Sequence, residues 1–259
     1  MTPTRKPTRR PSRKPSRAGK GEAALRLLKA LRERYPDAHC ELSWSAPHEL
    51  LIATILSAQC TDVAVNKATP ALFKRFASPA AYAASTPAAI EPFVQTLGFF
   101  RQKAKSVHAS MTALVRDFGG EVPRTMDDLI TLRGVARKTA NVVLGNAFGL
   151  NEGVVVDTHV QRLTQRFGLT KHTDPVKIER DLMALFPRES WCVLSHLLIF
   201  HGRRVCKARG HDCADDPLCR AFASQSSSRF AQKKHALKHP STAPARRSRG
   251  DRSHSSTDA

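Results

Sequence analysis

Apolar residues recur at helical spacing along most of the chain between two basic ends. In residues 22–35 they place Ala24, Leu27, Leu28 and Leu31 on one face, and Pro36 ends the run. The same spacing predicts further helices at residues 47–58, 63–76, 100–118, 176–186 and 190–200, and Ser45 is the predicted N-cap of the first of these. A run of three valines at 154–156 is too short to count as a strand. The predicted fold class is therefore all-α.

Positive charge is concentrated at the two ends. The net charge is +20; residues 1–20 hold eight Lys and Arg without an acid, and residues 221–259 hold eight with two acids. Such an excess points to a polyanionic partner. Proline at every fourth position near the start prevents helix, so we expect 1–20 to be a disordered basic arm that contacts DNA phosphates, and 223–259 to be a disordered basic tail. The alternative for the arm is a solvated tail without a partner.

Other features concern the compartment. No apolar run approaches the ~18 residues of a membrane span, and no apolar segment follows the basic start as in a secretory signal. We therefore expect a cytoplasmic, nucleoid-associated protein without a membrane partner. In that compartment the six cysteines are candidate metal ligands or core residues before they are disulfides.

The sequence of residues 125–149 predicts two helices joined by a short turn. Thr125 is placed as an N-cap, and the turn Arg133-Gly134-Val135-Ala136 precedes a second apolar face. A tight turn leaves the first N–H groups of the second helix pointing outward, where they and the helix dipole favour an anion such as a DNA phosphate. Gly134 has no side chain and lets the phosphate approach the backbone closely.

The run at 132–144, LRGVARKTANVVL, resembles the hairpin of the endonuclease III family of helix–hairpin–helix DNA glycosylases. The similarity extends over about residues 41–219 and includes LSAQ at 56–59, VNKAT at 65–69, VDTH at 156–159 and LIFHGR at 198–203. This resemblance implies a bifunctional DNA glycosylase and AP lyase of base excision repair. It would excise oxidised pyrimidines from damaged double-stranded DNA, cut the strand by β-elimination, and act as a monomer.

The resemblance assigns catalytic roles to two residues. Lys138 matches the family's nucleophile and Asp157 its assisting carboxylate. A lysine amine that attacks the sugar C1′ displaces the base and forms a Schiff base. The amine must be neutral to attack, which Arg137 and the helix N-terminus would favour. Asp157 would transfer a proton and stabilise the cationic sugar, and it is also placed to cap a helix that begins at Thr158 and ends near Gly168.

DNA contacts also follow from the resemblance. Gln59 lies in the loop that fills the gap left by a flipped base. The predicted phosphate contacts are Arg133, Gly134, Ala136, Arg137 and Thr139. Arg133 stands where the family usually has Pro, and Ala136 where it often has Gly. Because alanine resists a positive φ, we expect a weaker or altered phosphate grip.

The cysteine loop departs from the family pattern. The family binds a [4Fe–4S] cluster with four cysteines separated by six, two and five residues. Here Cys206, Cys213 and Cys219 remain, Asp216 follows Cys213 after two intervening residues, and the loop is about three residues short. The resemblance predicts a cluster with Asp216 as a possible fourth ligand. Zinc held by the three cysteines with His211 or Asp216, and loss of the metal, stay open.

The resemblance also predicts two helical domains that flank a DNA-binding cleft. A six-helix domain would span 41–151 and contain the hairpin at 125–148, while 21–40 would join 152–222 in the second domain. Two other functions stay open: a glycosylase of different specificity, for pyrimidine dimers or mismatches, and a non-catalytic DNA-binding protein. Mismatch enzymes generally lack a lysine at the Lys138 position, which argues against them.

Overall fold

A computed structural model describes residues 17–210 and 213–223. These residues form twelve α-helices and one 3₁₀ turn at Arg188–Ser190, and no strand occurs among them, so the all-α prediction is confirmed. The helices are α1 Arg17–Arg34, α2 Pro47–Leu56, α3 Asp62–Arg75, α4 Pro79–Ala83, α5 Pro87–Val94, α6 Phe100–Phe118, α7 Met126–Leu129, α8 Arg137–Phe148, α9 Thr158–Arg166, α10 Pro175–Leu185, α11 Trp191–Arg204 and α12 Pro217–Phe222. None of the described helices is both long and apolar enough to cross a bilayer.

The helices surround two hydrophobic cores. The first core lies among α2 to α8 and runs in sequence from Leu42 to Leu144. The second core combines α1 with α9 to α12, because Leu27 and Leu31 pack with residues from Val154 onward. The chain thus leaves the second core after α1, builds the first, and returns. The exact domain bounds predicted from the sequence stay a prediction.

Polar N-caps start most of the helices. A side-chain oxygen of the capping residue accepts an N–H of the first turn, which is otherwise unpaired. The caps are Thr61, Ser78, Thr86, Thr125, Asp157, Asp174 and Asp216. Proline at the first helical position follows four of these caps and suits a helix start.

Two predicted boundaries were wrong. Helix α1 begins at Arg17, so the last four residues of the predicted disordered arm are helical; residues 1–16 and the tail from 224 lie outside the described residues. Ala46, not Ser45, occupies the N-cap of α2. Glu49 explains the shift, because its Oε2 accepts the N–H of Ser45 at 2.7 Å and of Ala46 at 3.3 Å.

Charged contacts join the two halves. The Arg137 Nε of α8 donates to both carboxylate oxygens of Glu179 on α10, at 3.2 and 3.0 Å, and the Asn141 amide donates to Glu179 Oε1 at 2.9 Å. Gly153 makes room for this group, since a Cβ there would lie 2.0 Å from Glu179 Oε1. The helix that carries Lys138 is thereby fixed against the second core.

Candidate active site

Lys138 lies in the first turn of α8, directly after the hairpin turn. Ala136 is the N-cap, so Lys138 is the second helical residue, and its side chain is exposed. The unpaired N–H groups of this turn face outward together with the amine. The predicted combination of a lysine and a helix N-terminus is therefore present.

The hairpin turn rests tightly on α6. Gly134 has φ +84, and a Cβ at this position would lie 3.1 Å from Ser106 Cβ. The Ser110 hydroxyl donates to the Arg133 carbonyl at 2.7 Å. Ala136 has φ −97 and ψ 170, an extended conformation that alanine adopts without strain. The substitution of alanine for the family's glycine thus costs no backbone strain here.

Asp157 is the N-cap of α9. Its Oδ1 accepts the N–H of Val160 at 2.8 Å, and α9 begins at Thr158 as the sequence predicts. Gly168, with φ +68, follows the other end. The cap fixes one carboxylate oxygen against the helix.

One open cleft brings the two predicted catalytic residues together. A cavity of about 540 Å³ is lined by Lys138 and Asp157, by Gln59 of the α2–α3 loop, and by His159 and Arg203. Other predicted contact residues, namely Arg133, Gly134, Ala136, Arg137 and Thr139, do not line it and lie along the hairpin beside it. Lys138, Asp157 and Gln59 come from three separate stretches of the chain that only the fold brings together.

The loop that carries Gln59 is strained. Gln59 is exposed and has φ +56, which few residues other than glycine adopt and which costs about 1–3 kcal/mol. The adjacent Cys60 anchors the loop, because the buried Lys103 places its Nζ 3.0 Å from Cys60 Sγ. Lys103 was missed by the sequence reasoning, which assigned α6 only an apolar face.

Arg137 does not point freely toward the cleft. Its guanidinium is held by Glu179 and donates to the Glu152 carbonyl at 3.2 Å. Its positive charge beside Lys138 is thus largely offset by Glu179. The predicted phosphate contact of Arg137 stays a prediction and would require this ion pair to open.

His159 and Arg203 also line the cleft, and the sequence reasoning gave them no role. Burial lowers the pKa of His159, against the opposing effect of Asp157, so the imidazole is neutral at pH 7. Arg203 pairs with Glu41 and, at 2.7 Å, with Asp62, which joins α11 to the start of α3. Both residues occur in the quoted runs VDTH and LIFHGR, but only the fold shows that they meet.

The predicted cysteine ligands do cluster beside the second core. Cys206 and Cys219 are buried with His201, and the ligand atoms of these three residues lie within 4.8 Å of one another. Cys213 is half-buried and packs against the same core beside them. The predicted cysteine grouping is confirmed, together with a histidine that was not predicted as a ligand.

Asp216 has a different role in the structure. Its Oδ1 accepts the Cys219 N–H at 2.9 Å as the N-cap of α12, and its Oδ2 pairs with Arg34 at 2.7 Å. It does not belong to the group of buried ligand atoms. His211 lies outside the described residues.

Comparison with known proteins identifies the family. Residues 52–188 match the model of the HhH-GPD superfamily of base excision DNA repair proteins. Endonuclease III of Synechocystis is 51% identical over 211 residues, which cover 82% of this chain and 96% of that protein. Endonuclease III of Bacillus subtilis is 43% identical over 192 residues, 74% of this chain and 87% of that one. The chain belongs to the endonuclease III family.

Solved structures agree with this assignment. A non-covalent endonuclease III–DNA complex superposes with a TM-score of 0.75 at 39% identity, over 82% of this chain and 98% of that one. A trapped covalent endonuclease III–DNA intermediate has the same score and identity over 81% of this chain. A thermostable thymine-DNA glycosylase, with TM-score 0.65 but 20% identity, shares the fold.

The cluster typical of the endonuclease III family does not fit the cysteine group well. Each terminal ligand of a [4Fe–4S] cluster binds a different iron, so the donor atoms stand apart at the corners of the cube. Here the His201 Nε2 is only 3.1 Å from Cys219 Sγ, and Cys206 lies within 4.8 Å of both. Cys206 and Cys219 are thus closer together than ligands of separate irons at the corners of a cube, and Cys213 lies outside this close group.

Proposed function

We propose that this chain is a bifunctional DNA glycosylase and AP lyase of base excision repair, which removes oxidised pyrimidines from duplex DNA by way of Lys138. The observation that carries the proposal is that Lys138 and Asp157 line one open cleft in a chain of the endonuclease III family. The trapped covalent DNA intermediate of a relative that is 39% identical supports a nucleophilic mechanism.

Lys138 acts in the first step as the nucleophile. Its neutral Nζ attacks C1′ of the flipped nucleotide, and the bond from C1′ to the base breaks. The base leaves with the electron pair and is protonated, while Nζ loses a proton. Opening of the sugar ring then breaks the C1′–O4′ bond, places a proton on O4′ and gives the C1′=Nζ Schiff base.

Asp157 supports this step from the opposite element. Its capped orientation at the start of α9 holds a carboxylate in the cleft, where its negative charge stabilises the cationic sugar as the base departs. The same carboxylate can accept the proton that Nζ releases. His159, neutral at pH 7, adds no positive charge that would oppose the cationic sugar.

The Schiff base accounts for strand cleavage. Loss of a proton from C2′ sends its electron pair toward C1′, and the bond from C3′ to the phosphate oxygen breaks. Water then hydrolyses the C1′=Nζ bond and releases Lys138 unchanged. This sequence consumes no oxidant or metal, so no step passes through the cysteine group.

The hairpin and the Gln59 loop position the DNA. Outward N–H groups at the start of α8 suit one phosphate, and Gly134 leaves that backbone uncovered. Gln59 projects from its strained loop at the rim of the same cleft, as a residue that fills a gap in a base stack must. As a protein of DNA repair, the chain would reside with the cytoplasmic nucleoid.

A panel of duplexes with single lesions tests the proposal. The duplexes would carry thymine glycol, 5,6-dihydrouracil, an abasic site, a pyrimidine dimer or an A·G mismatch, and base release and strand cleavage would be measured separately. We expect release and cleavage at the oxidised pyrimidines and cleavage at the abasic site. Turnover confined to the dimer or the mismatch would assign another specificity, and binding without turnover on all five would make the chain a non-catalytic DNA-binding protein.

A further inference from the structure

The buried group at the end of α11 contains four metal-binding side chains. His201, Cys206 and Cys219 are each completely buried, with ligand atoms within 4.8 Å of one another, and the half-buried Cys213 packs beside this group against the second core. We infer that these four residues bind one zinc ion, with His201 as the fourth ligand in place of the cysteine that the loop lacks. This inference is independent of the proposed catalytic function.

The spacing of the donor atoms fits a single ion. Zn–S bonds of about 2.3 Å and Zn–N bonds of about 2.0 Å in a tetrahedron bring one nitrogen and three sulfurs to about 3.5–3.8 Å from one another. The His201 Nε2 to Cys219 Sγ distance of 3.1 Å is close to this value. A single ion would therefore need only slight movements of His201, Cys206 and Cys219 and an approach of the Cys213 thiol, whereas a four-iron cube would need the three buried donors to move apart.

The orientation of His201 is that of a metal ligand. Its Nδ1 lies 2.9 Å from the Tyr35 hydroxyl, and its Nε2 points at the cysteines. Metal-binding histidines usually donate their second ring N–H to an oxygen partner, which fixes the ring and the tautomer. Tyr35 follows α1 and is itself 5% exposed, so the partner is rigidly placed.

The surrounding charges favour thiolates. Arg166 Nη1 donates to Cys206 Sγ at 2.8 Å. Three thiolates around Zn²⁺ leave one negative charge, which Arg166 offsets. Asp216 does not compete for the ion, because its carboxylate is held by Arg34 and by the α12 N-terminus.

Such an ion would join four helices of the second core. His201 belongs to α11, Cys219 to α12, Arg166 to α9, and Tyr35 directly follows α1. Structural zinc contributes free energy to folding, and a short loop with few contacts of its own depends on it most. The zinc would thus take over the structural role of the family's cluster, with one cysteine fewer and a shorter loop.

Metal analysis of the full-length protein tests the inference. The protein would be purified without oxygen from cells supplied with both iron and zinc, and zinc, iron and acid-labile sulfide would be measured per chain. We expect one zinc and no stoichiometric iron or sulfide. Exchange of zinc for Co²⁺ should give the intense d–d bands of a tetrahedral site and a thiolate-to-cobalt charge-transfer band.

Variants of His201 test the fourth ligand. His201→Ala should lower zinc affinity about a hundredfold in competition with a chromophoric chelator, and Tyr35→Phe about tenfold. His201→Cys should retain zinc and shift the Co²⁺ d–d bands, because a fourth thiolate replaces the imidazole. His196→Ala is the matched control: His196 lies on the same helix, binds Asn146 Oδ1 at 2.8 Å, and is not part of the group.

Three results would overturn the inference. Four irons with four sulfides per chain would show that the loop holds a cluster after all. Absence of any bound metal, even after addition of zinc to the reduced protein, would show that the group is only packed. Unchanged Co²⁺ bands in His201→Cys would show that another residue is the fourth ligand, even if His201→Ala fails to fold.

Discussion

The hairpin with its cleft and the cysteine loop differ in how closely they follow the endonuclease III pattern. At the hairpin, two residues depart from the family, yet Ala136 keeps an extended backbone and Lys138 keeps its place in the first turn of α8. At the cysteine loop, about three residues and one cysteine of the family pattern are missing. There His201 lies beside Cys206 and Cys219, and Asp216 caps α12. Both regions lie in one chain that is 51% identical to a cyanobacterial endonuclease III.

This difference suggests that the cleft is constrained by its reaction, and the cysteine loop only by its structural role. In the proposed mechanism, the cleft performs a reaction that needs an amine and a carboxylate at fixed positions. The loop needs only a stable connection between helices, which different ligands and a different ion can supply. Substitutions in the cleft should therefore change rates, and substitutions in the loop should change stability.

The largest expected effect is on the cleft side of this comparison. Asp157→Asn keeps an oxygen that can cap α9 but removes the negative charge, so base release should fall about a thousandfold while the thermal midpoint stays nearly constant. The matched control is Asp174→Asn, since Asp174 caps α10 in the same way, at 2.9 Å from the Lys177 N–H, outside the cleft. Equal rate losses in both variants would show that Asp157 acts only as a helix cap and not in the reaction.

Removal of metal from the cysteine loop should lower the thermal stability and leave the rate of base release nearly unchanged. Zinc at a thousandfold excess over its dissociation constant stabilises the folded chain by about 4 kcal/mol. Extraction by a chelator should therefore lower the thermal midpoint by roughly 10 °C, at 2–4 °C per kcal/mol. Single-turnover base release, measured well below the midpoint, should change less than about twofold. A loss of chemistry with unchanged stability would place the loop in the active site and break the comparison.

Gly134→Ala should weaken DNA binding through the backbone of the hairpin. The alanine must adopt φ +84 and lies 3.1 Å from Ser106 Cβ, so both strain and crowding displace the turn. We expect about 1–2 kcal/mol of lost stability and about tenfold weaker binding to damaged and undamaged duplex alike. Gly149→Ala is the control, because Gly149 has φ +68 but open space around it. Binding losses of the same size in both would assign the effect to strain in α8.

Deletion of residues 1–16 should have the smallest effect on chemistry. This segment carries six Lys and Arg, and the deletion stops before α1. If all six contact phosphates, the slope of log affinity against log salt should become shallower by up to about 5, with the single-turnover rate at saturation unchanged. A slope that does not change would make the arm a solvated tail.

The sequence predicted the long helices from local signals, whereas the catalytic roles of Lys138 and Asp157 were inferred from the family resemblance and stay a prediction. Apolar spacing located α1 and α6, and the LRGVARKTANVVL run located the hairpin. Helices α4 and α5 were missed because each is shorter than three turns and has little apolar periodicity. Their starts could have been found from Ser78 and Thr86, each followed by proline.

Side-chain partners from distant parts of the chain could not be predicted in this way. His201 was noticed only as part of a family run, since its approach to Cys219 depends on how α11 packs beside α12. Arg137 was expected to face DNA, because nothing in its neighbourhood in sequence indicates Glu179, 42 positions away. Asp216 has the spacing of a ligand, but the proline after it also indicated the helix start that it caps.

Borohydride trapping on a duplex with a single thymine glycol tests the central claim most directly, with wild type, Lys138→Ala and Lys171→Ala compared. Lys171 is also exposed but does not line the cleft. We predict a covalent protein–DNA adduct in wild type and Lys171→Ala, mapped by peptide analysis to Lys138, and none in Lys138→Ala. An adduct that persists in Lys138→Ala, or strand cleavage by wild type without any adduct, would contradict the account.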